Sequence, residues 1–92
     1  MVVEYHRRFE KDLEKAPNNI HKRVFYVILK LKEAETLELS GLDYKKLAGQ
    51  ESQYYRIRVG NWRIGIEYIH PNVTLLRILA RGNVYKFFPP KP

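Results

Sequence analysis

The chain has no cysteine, a single methionine and a single tryptophan among 92 residues. Without thiols there are no disulfides, thiolate metal sites or cysteine nucleophiles, and the composition suits a reducing compartment. No apolar run approaches the roughly 18 residues that a bilayer-spanning helix needs. The N-terminal MVVEYHRRFEK lacks the charged-then-apolar order of a secretory signal. The expected location is therefore cytoplasmic, with no membrane partner. Also missing are a carboxylate pair, any metal-ligand spacing, a glycine-rich phosphate loop and a Ser-His-Asp set, so no metal and no cofactor are expected. The length fits one domain, 1–92, and a hydrophobic fraction of 45% supports one core without covalent staples.

Acidic residues are scarce in one half only. Residues 1–52 carry 10 Lys/Arg against 9 Asp/Glu, whereas residues 53–92 carry 7 Lys/Arg and only Glu67. Most of the formal charge of +7 thus falls on the C-terminal half. Such asymmetry points to a nucleic acid or an acidic protein as partner.

That half holds the stretch YYRIRVGNWRIGIEYIHPNVTLLRILARGNVY, Tyr54 to Tyr85, which reads as three consecutive antiparallel strands. Tyr55, Ile57 and Val59 alternate with Arg56 and Arg58, giving the first strand an apolar and a cationic face. Gly60-Asn61 is a tight-hairpin pair. In the second strand Trp62, Ile64, Ile66 and Tyr68 take one face, and Arg63, Gly65, Glu67 and Ile69 the other. His70-Pro71-Asn72 forms the next turn, with Pro71 presetting the bend and Asn72 suited to left-handed geometry. The third strand, Val73–Arg81, is expected to alternate regularly until Gly82-Asn83 breaks it. Val84 to Pro92 reads as an aromatic, proline-containing tail.

Upstream, Val2–His6 is a candidate edge strand. Phe9, Leu13 and Ala16 recur at helical spacing, with charged residues between them, up to Pro17. Asn18 or Asn19 is the expected cap of a second helix running from Ile20 to Ala34. Ile20, Val24, Val27, Ile28 and Leu31 form its core stripe, and Phe25, Tyr26 and Leu29 are expected to widen it until the helix is well covered. His21 is read as solvent-facing. Glu35–Leu42 has no clear period, and Gln50–Gln53 reads as a turn. Of the neighbours Lys45 and Lys46, an extended segment lets only one share the cationic surface. The predicted fold is α+β: an N-terminal strand and a helical hairpin packed on a twisted antiparallel sheet, in the order β-α-α-β-β-β.

The segments KLAG (Lys46–Gly49), YRIRVGNWRIGIEY (Tyr55–Tyr68) and ARGNVY (Ala80–Tyr85) resemble the RelE/ParE toxins of bacterial type II toxin–antitoxin pairs. The resemblance spans almost the whole chain and implies a single toxin domain of that fold. In the RelE-like branch it implies an endoribonuclease, an mRNA interferase that enters the ribosome, cuts mRNA there and inhibits translation. By matching motifs, the residues that fall on that branch's basic groups and C-terminal tyrosine are Arg56, Arg58, Arg63, Arg81 and Tyr85. The chain departs from the branch at Ala80, where many relatives carry histidine, and in the arginines that replace paired lysines at positions 56 and 58. The implied partners are a small acidic antitoxin, in a hetero-oligomer, together with the ribosome and mRNA. A ParE-like inhibitor of DNA gyrase without nuclease activity is the alternative, followed by an inactive homologue that only binds antitoxin.

Metal-independent RNA cleavage needs a base for the 2′-hydroxyl, an acid for the leaving 5′-oxygen and positive charge on the pentavalent phosphate. Arginine serves the third need and, with its high pKa, not the first two. The expected catalytic set is Arg63 and Arg81 as phosphate clamps with Tyr85 as base, its phenolate favoured by nearby guanidinium groups. Arg56, Arg58, Lys45 and Lys46 are the expected RNA-binding groups. Arg77 is set aside as a candidate ion-pair partner.

Overall fold

The structure is a computed structural model of the chain, in which residues 1–47, 53–83 and 88 are described. Along the chain come β1 (Val2–Tyr5), α1 (Arg7–Lys15), α2 (Asn18–Glu33), a 3-10 turn (Glu38–Ser40), β2 (Tyr44–Lys46), β3 (Tyr54–Val59), β4 (Trp62–Ile69) and β5 (Asn72–Ala80). The strands form one sheet in the order β1-β5-β4-β3-β2. β2 to β5 pair antiparallel. β1 runs parallel to β5, so the sheet is mixed, and the three-residue β2 adds a strand that the sequence pattern does not announce.

The helices cover one face. Phe9 and Ala16 of the first helical segment and Ile20, Val24, Val27 and Leu31 of α2 pack on Ile57, Val59, Ile64, Ile66, Val73, Leu75 and Ile78 of the sheet. Trp62 and Tyr68 flank this core, as the alternation of β4 requires. The expectation that Phe25, Tyr26 and Leu29 are covered does not hold: they are 60%, 57% and 52% exposed. One helical face of about 100° suffices to reach a single sheet, and these residues lie beyond it.

The helix entries also differ in detail from expectation. His6 caps α1, its Nδ1 accepting from the Arg8 N–H at 3.1 Å. Pro17, not Asn18 or Asn19, occupies the cap position of α2, and its carbonyl accepts from the Ile20 N–H at 2.9 Å. His21 is half-buried rather than solvent-facing, with Nε2 against the Leu13 carbonyl, tying the two helices together.

Gly60, at φ +59, opens the two-residue β3–β4 loop, while among the described residues no non-glycine residue has positive φ. That pattern belongs to a turn with glycine first, whose twist matches the flanking strands. Asn72 accordingly has no left-handed geometry; it begins β5. Regular alternation in β5 fails at a bulge. Gly65 pairs with Arg77 and Ile66 with Leu75, leaving Leu76 unpaired, so Leu75 and Ile78 both face the core. Past Tyr5, where β1 ends, Asp12 of α1 takes over the edge of β5. Its Oδ2 accepts from the Ile78 N–H at 3.1 Å and from Arg77 Nε at 2.7 Å.

Candidate functional site

The second face of the sheet carries no helix among the described residues, and most of the basic candidates project from it. Tyr54, Arg56 and Arg58 alternate with the buried Ile57 and Val59. Arg58 lies directly opposite Arg63, and Arg56 opposite Gly65 on one side and Lys45 on the other. Residues so paired have Cβ atoms about 5 Å apart on a common face. Arg56, Arg58, Arg63 and Lys45 therefore share one patch. Lys46 pairs with Tyr55 and lies on the helix side, so only one of the two neighbouring lysines contributes to the patch.

The arginines differ in their surroundings. Arg63 is buried at 7% exposure, and its Nη1 donates to the Gly60 carbonyl at 2.8 Å and the Trp62 carbonyl at 2.9 Å. It thereby braces the β3–β4 turn with backbone carbonyls. Arg58 is exposed, and its N–H donates to the Asp43 carbonyl at 2.8 Å. Arg56 is half-buried, and its Nε and Nη1 are buried without a hydrogen-bond partner. A desolvated charged donor left unpaired costs about 1–3 kcal/mol or more, a cost that an arriving anion removes. Arg77 is drawn off the patch by its ion pair with Asp12, at 2.7 Å.

Arg81 lies just past β5 and is exposed. Its N–H donates to the Asn61 carbonyl at 2.8 Å, which holds it beside the β3–β4 turn. The Asn83 N–H reaches the Ala80 carbonyl at 2.8 Å, closing the turn expected at Gly82-Asn83. Tyr85 lies outside the described residues, as do most of the expected turn at 50–53 and all of the tail but Phe88.

The open face is not uniformly cationic. Leu47 and Phe88 are buried against Tyr54, Leu76 and Leu79 in a second apolar cluster. Phe88 meets Tyr54 edge-on, with ring centroids 5.5 Å apart. Its ring lies directly over Gly65, where a Cβ would come within 2.7 Å of it. A glycine inside a strand often marks such a close approach, and that was the available signal.

On the helix side Tyr44, Tyr55 and Tyr68 form an aromatic row, with centroids 6.1 and 5.8 Å apart. Burial, then Glu38, then the neighbouring phenols raise the Tyr55 pKa above its ordinary 10.0. That phenol is held protonated, on the face away from the arginines.

A helical hairpin laid on one side of a five-stranded sheet, with basic side chains gathered on the other, is the architecture of a small toxin–antitoxin toxin. The family model described as the ParE toxin of type II toxin-antitoxin system, parDE, matches residues 3–85, and the chain belongs to that family, as a RelE-like toxin. It is 40% identical over 89 residues to Toxin RelE3 of Methanocaldococcus jannaschii, an alignment covering 97% of this chain and 100% of the relative. The toxin in the RelB-RelE antitoxin-toxin complex from Methanococcus jannaschii superposes with a TM-score of 0.78 at 40% identity, over 94% of this chain and 99% of that one. The RelE-RelB complex from Pyrococcus horikoshii gives 0.70 at 23% identity, over 88% and 94%. YafQ from E. coli gives 0.72 at 17% identity, over 90% and 96%. These last two likenesses speak for the fold.

Proposed function

We propose that this toxin is a ribosome-dependent mRNA endoribonuclease that acts without a metal. The observation behind the reading is Arg56. Two of its guanidinium nitrogens are buried and unpartnered, in a patch shared with Arg58, Arg63 and Lys45. A phosphodiester satisfies such a fork with two oxygens and neutralises the surrounding charge. In this mechanism Arg56, Arg58 and Lys45 position the RNA, while Arg63 and Arg81 place positive charge at the pentavalent phosphate. Tyr85 takes the 2′ proton, its phenolate favoured by the guanidinium groups. Work on the ribosome places the protein in the cytoplasm.

The solved relatives from Methanococcus jannaschii and Pyrococcus horikoshii are complexes with RelB. By that likeness the present chain forms a hetero-oligomer with an acidic antitoxin that folds over the basic patch.

Induced expression of the protein, followed by mapping of mRNA 5′ ends, tests the activity. New ends should appear within translated regions as growth stops, and Arg81→Ala and Tyr85→Phe should each abolish both effects. If both variants cut like the wild type, the catalytic assignment is wrong. The match to a family model described as a ParE toxin favours gyrase inhibition as the second reading. In that case DNA damage signals precede the loss of translation, and no new mRNA ends form.

A further inference from the structure

We propose a second RNA subsite, a cleft between α2 and the far end of β3 that takes a nucleotide flanking the one held on the open face. The proposal rests on the ribonuclease reading and extends it to a part of the molecule that the patch does not include.

The cleft has a volume of about 450 Å³, and its polar lining comes from Lys22, Arg23, Tyr26, Asp43 and Arg58. That volume suits one nucleotide rather than a long peptide. Among the described residues no hydrogen bond or ion pair engages the side chains of Lys22, Arg23 or Arg58. The Arg23 guanidinium lies against the bare Cα of Gly60, where any Cβ would collide with Nη1, so the glycine leaves room for the cation at the wall of the cleft. Tyr26 is 57% exposed, and Lys30 Nζ stands 5.4 Å from its ring centroid. An exposed phenol ring beside two cations can stack a base whose phosphate they hold.

Two features favour RNA over an acidic peptide. Asp43 repels phosphate and carboxylate alike, but it accepts hydrogen bonds from base amino groups, which an acidic side chain does not offer. Arg58 lines the cleft while lying on the open face opposite Arg63, so the two sites are continuous along a strand. A strand whose phosphate lies at Arg56 and Arg58 reaches the cleft by turning over the end of β3.

The test is fluorescence anisotropy with the purified toxin and a labelled single-stranded RNA of about 12 nucleotides, from about 50 to 200 mM salt. Lys22→Ala/Arg23→Ala should lower affinity at least about 10-fold and flatten the salt slope by about 1.4, the loss of two single-strand phosphate contacts. Tyr26→Ala should lower affinity about 10-fold with the slope unchanged. Arg23→Lys should keep the slope. Thermal midpoints of all variants should match the wild type, since these side chains are exposed. Shortening the RNA to about 4 nucleotides, enough for one patch, should abolish sensitivity to the cleft variants. Wild-type affinity and slope in the double variant, with weakening in Arg56→Ala, would overturn the cleft and leave the ribonuclease reading standing. Binding of a poly-glutamate peptide but not RNA, dependent on Lys22 and Arg23, would also overturn it. A wild-type protein that binds no RNA and cuts no mRNA removes the ribonuclease reading and the cleft with it.

Discussion

The two faces of the sheet are built from the same strands and obey different rules. Under the helices, Ile57, Ile64, Ile66, Val73, Leu75 and Ile78 are sealed from solvent in a cluster of apolar side chains with aromatic ones at its margin. On the open face, a smaller cluster around Phe88 lies among arginines, one of them desolvated without a partner. The first face is arranged for burial. The second keeps charges in places where stability alone would remove them, which is what the proposed function asks of that face.

Substitutions that separate stability from activity should sharpen this contrast. The largest loss is expected under the helices: Ile64→Ala should cost about 2–5 kcal/mol in urea unfolding. Leu79→Ala, half-buried on the open face, should cost about 1 kcal/mol. Equal losses would mean that the two clusters contribute alike to the core. Asp12→Ala should come next, at about 1–3 kcal/mol, because it removes the ion pair to Arg77 and uncovers the Ile78 N–H. Adding Arg77→Met should recover part of that loss, since the guanidinium that the Asp12 carboxylate neutralised goes with it. Arg56→Met should leave the unfolding midpoint within about 1 kcal/mol of wild type or raise it, while relieving growth arrest on induction. A large destabilisation there would make Arg56 a structural residue.

The smallest effect concerns pH. Tyr55 has its folded-state pKa raised above 10.0, mainly by burial, so its stabilising contribution is complete below pH 10.0 and is lost as pH rises through the higher folded value. Tyr55→Phe should therefore lose less stability than wild type above pH 10.0, with parallel behaviour below it. Melting curves at neutral and alkaline pH would reveal the divergence.

Much of this arrangement could be read from local pattern. The α2 stripe, the alternation of β4 and the Gly60-Asn61 turn depend on near neighbours, and they appear where periodicity puts them. What escaped depends on distant pairing. Asp12 meets Arg77 across 65 positions, and the parallel docking of β1 on β5 is set by which edge remains free. The bulge at Leu76 leaves no signature in a strand where six of nine residues are apolar and fall on both faces. Phe25, Tyr26 and Leu29 misled for the opposite reason: their hydrophobicity was legible, but not that one sheet leaves half of α2 facing solvent. For the candidate site, the sharing of one face by Arg56 and Arg58 follows from strand alternation, whereas the unequal burial of Arg56, Arg58 and Arg63 is a property of the assembled sheet.

The seat at Gly65 has a thermodynamic corollary. Phe88 occupies the middle of the cross-strand row between Arg56 and Arg77, so an incoming strand must skirt the ring or evict it. If eviction occurs, the affinity of the intact chain is the intrinsic value diminished by the free energy of lifting the aromatic group from its glycine. Under the proposed function Phe88 would then act as a built-in competitor, and Phe88→Ala would bind RNA more tightly even as the folded state weakens.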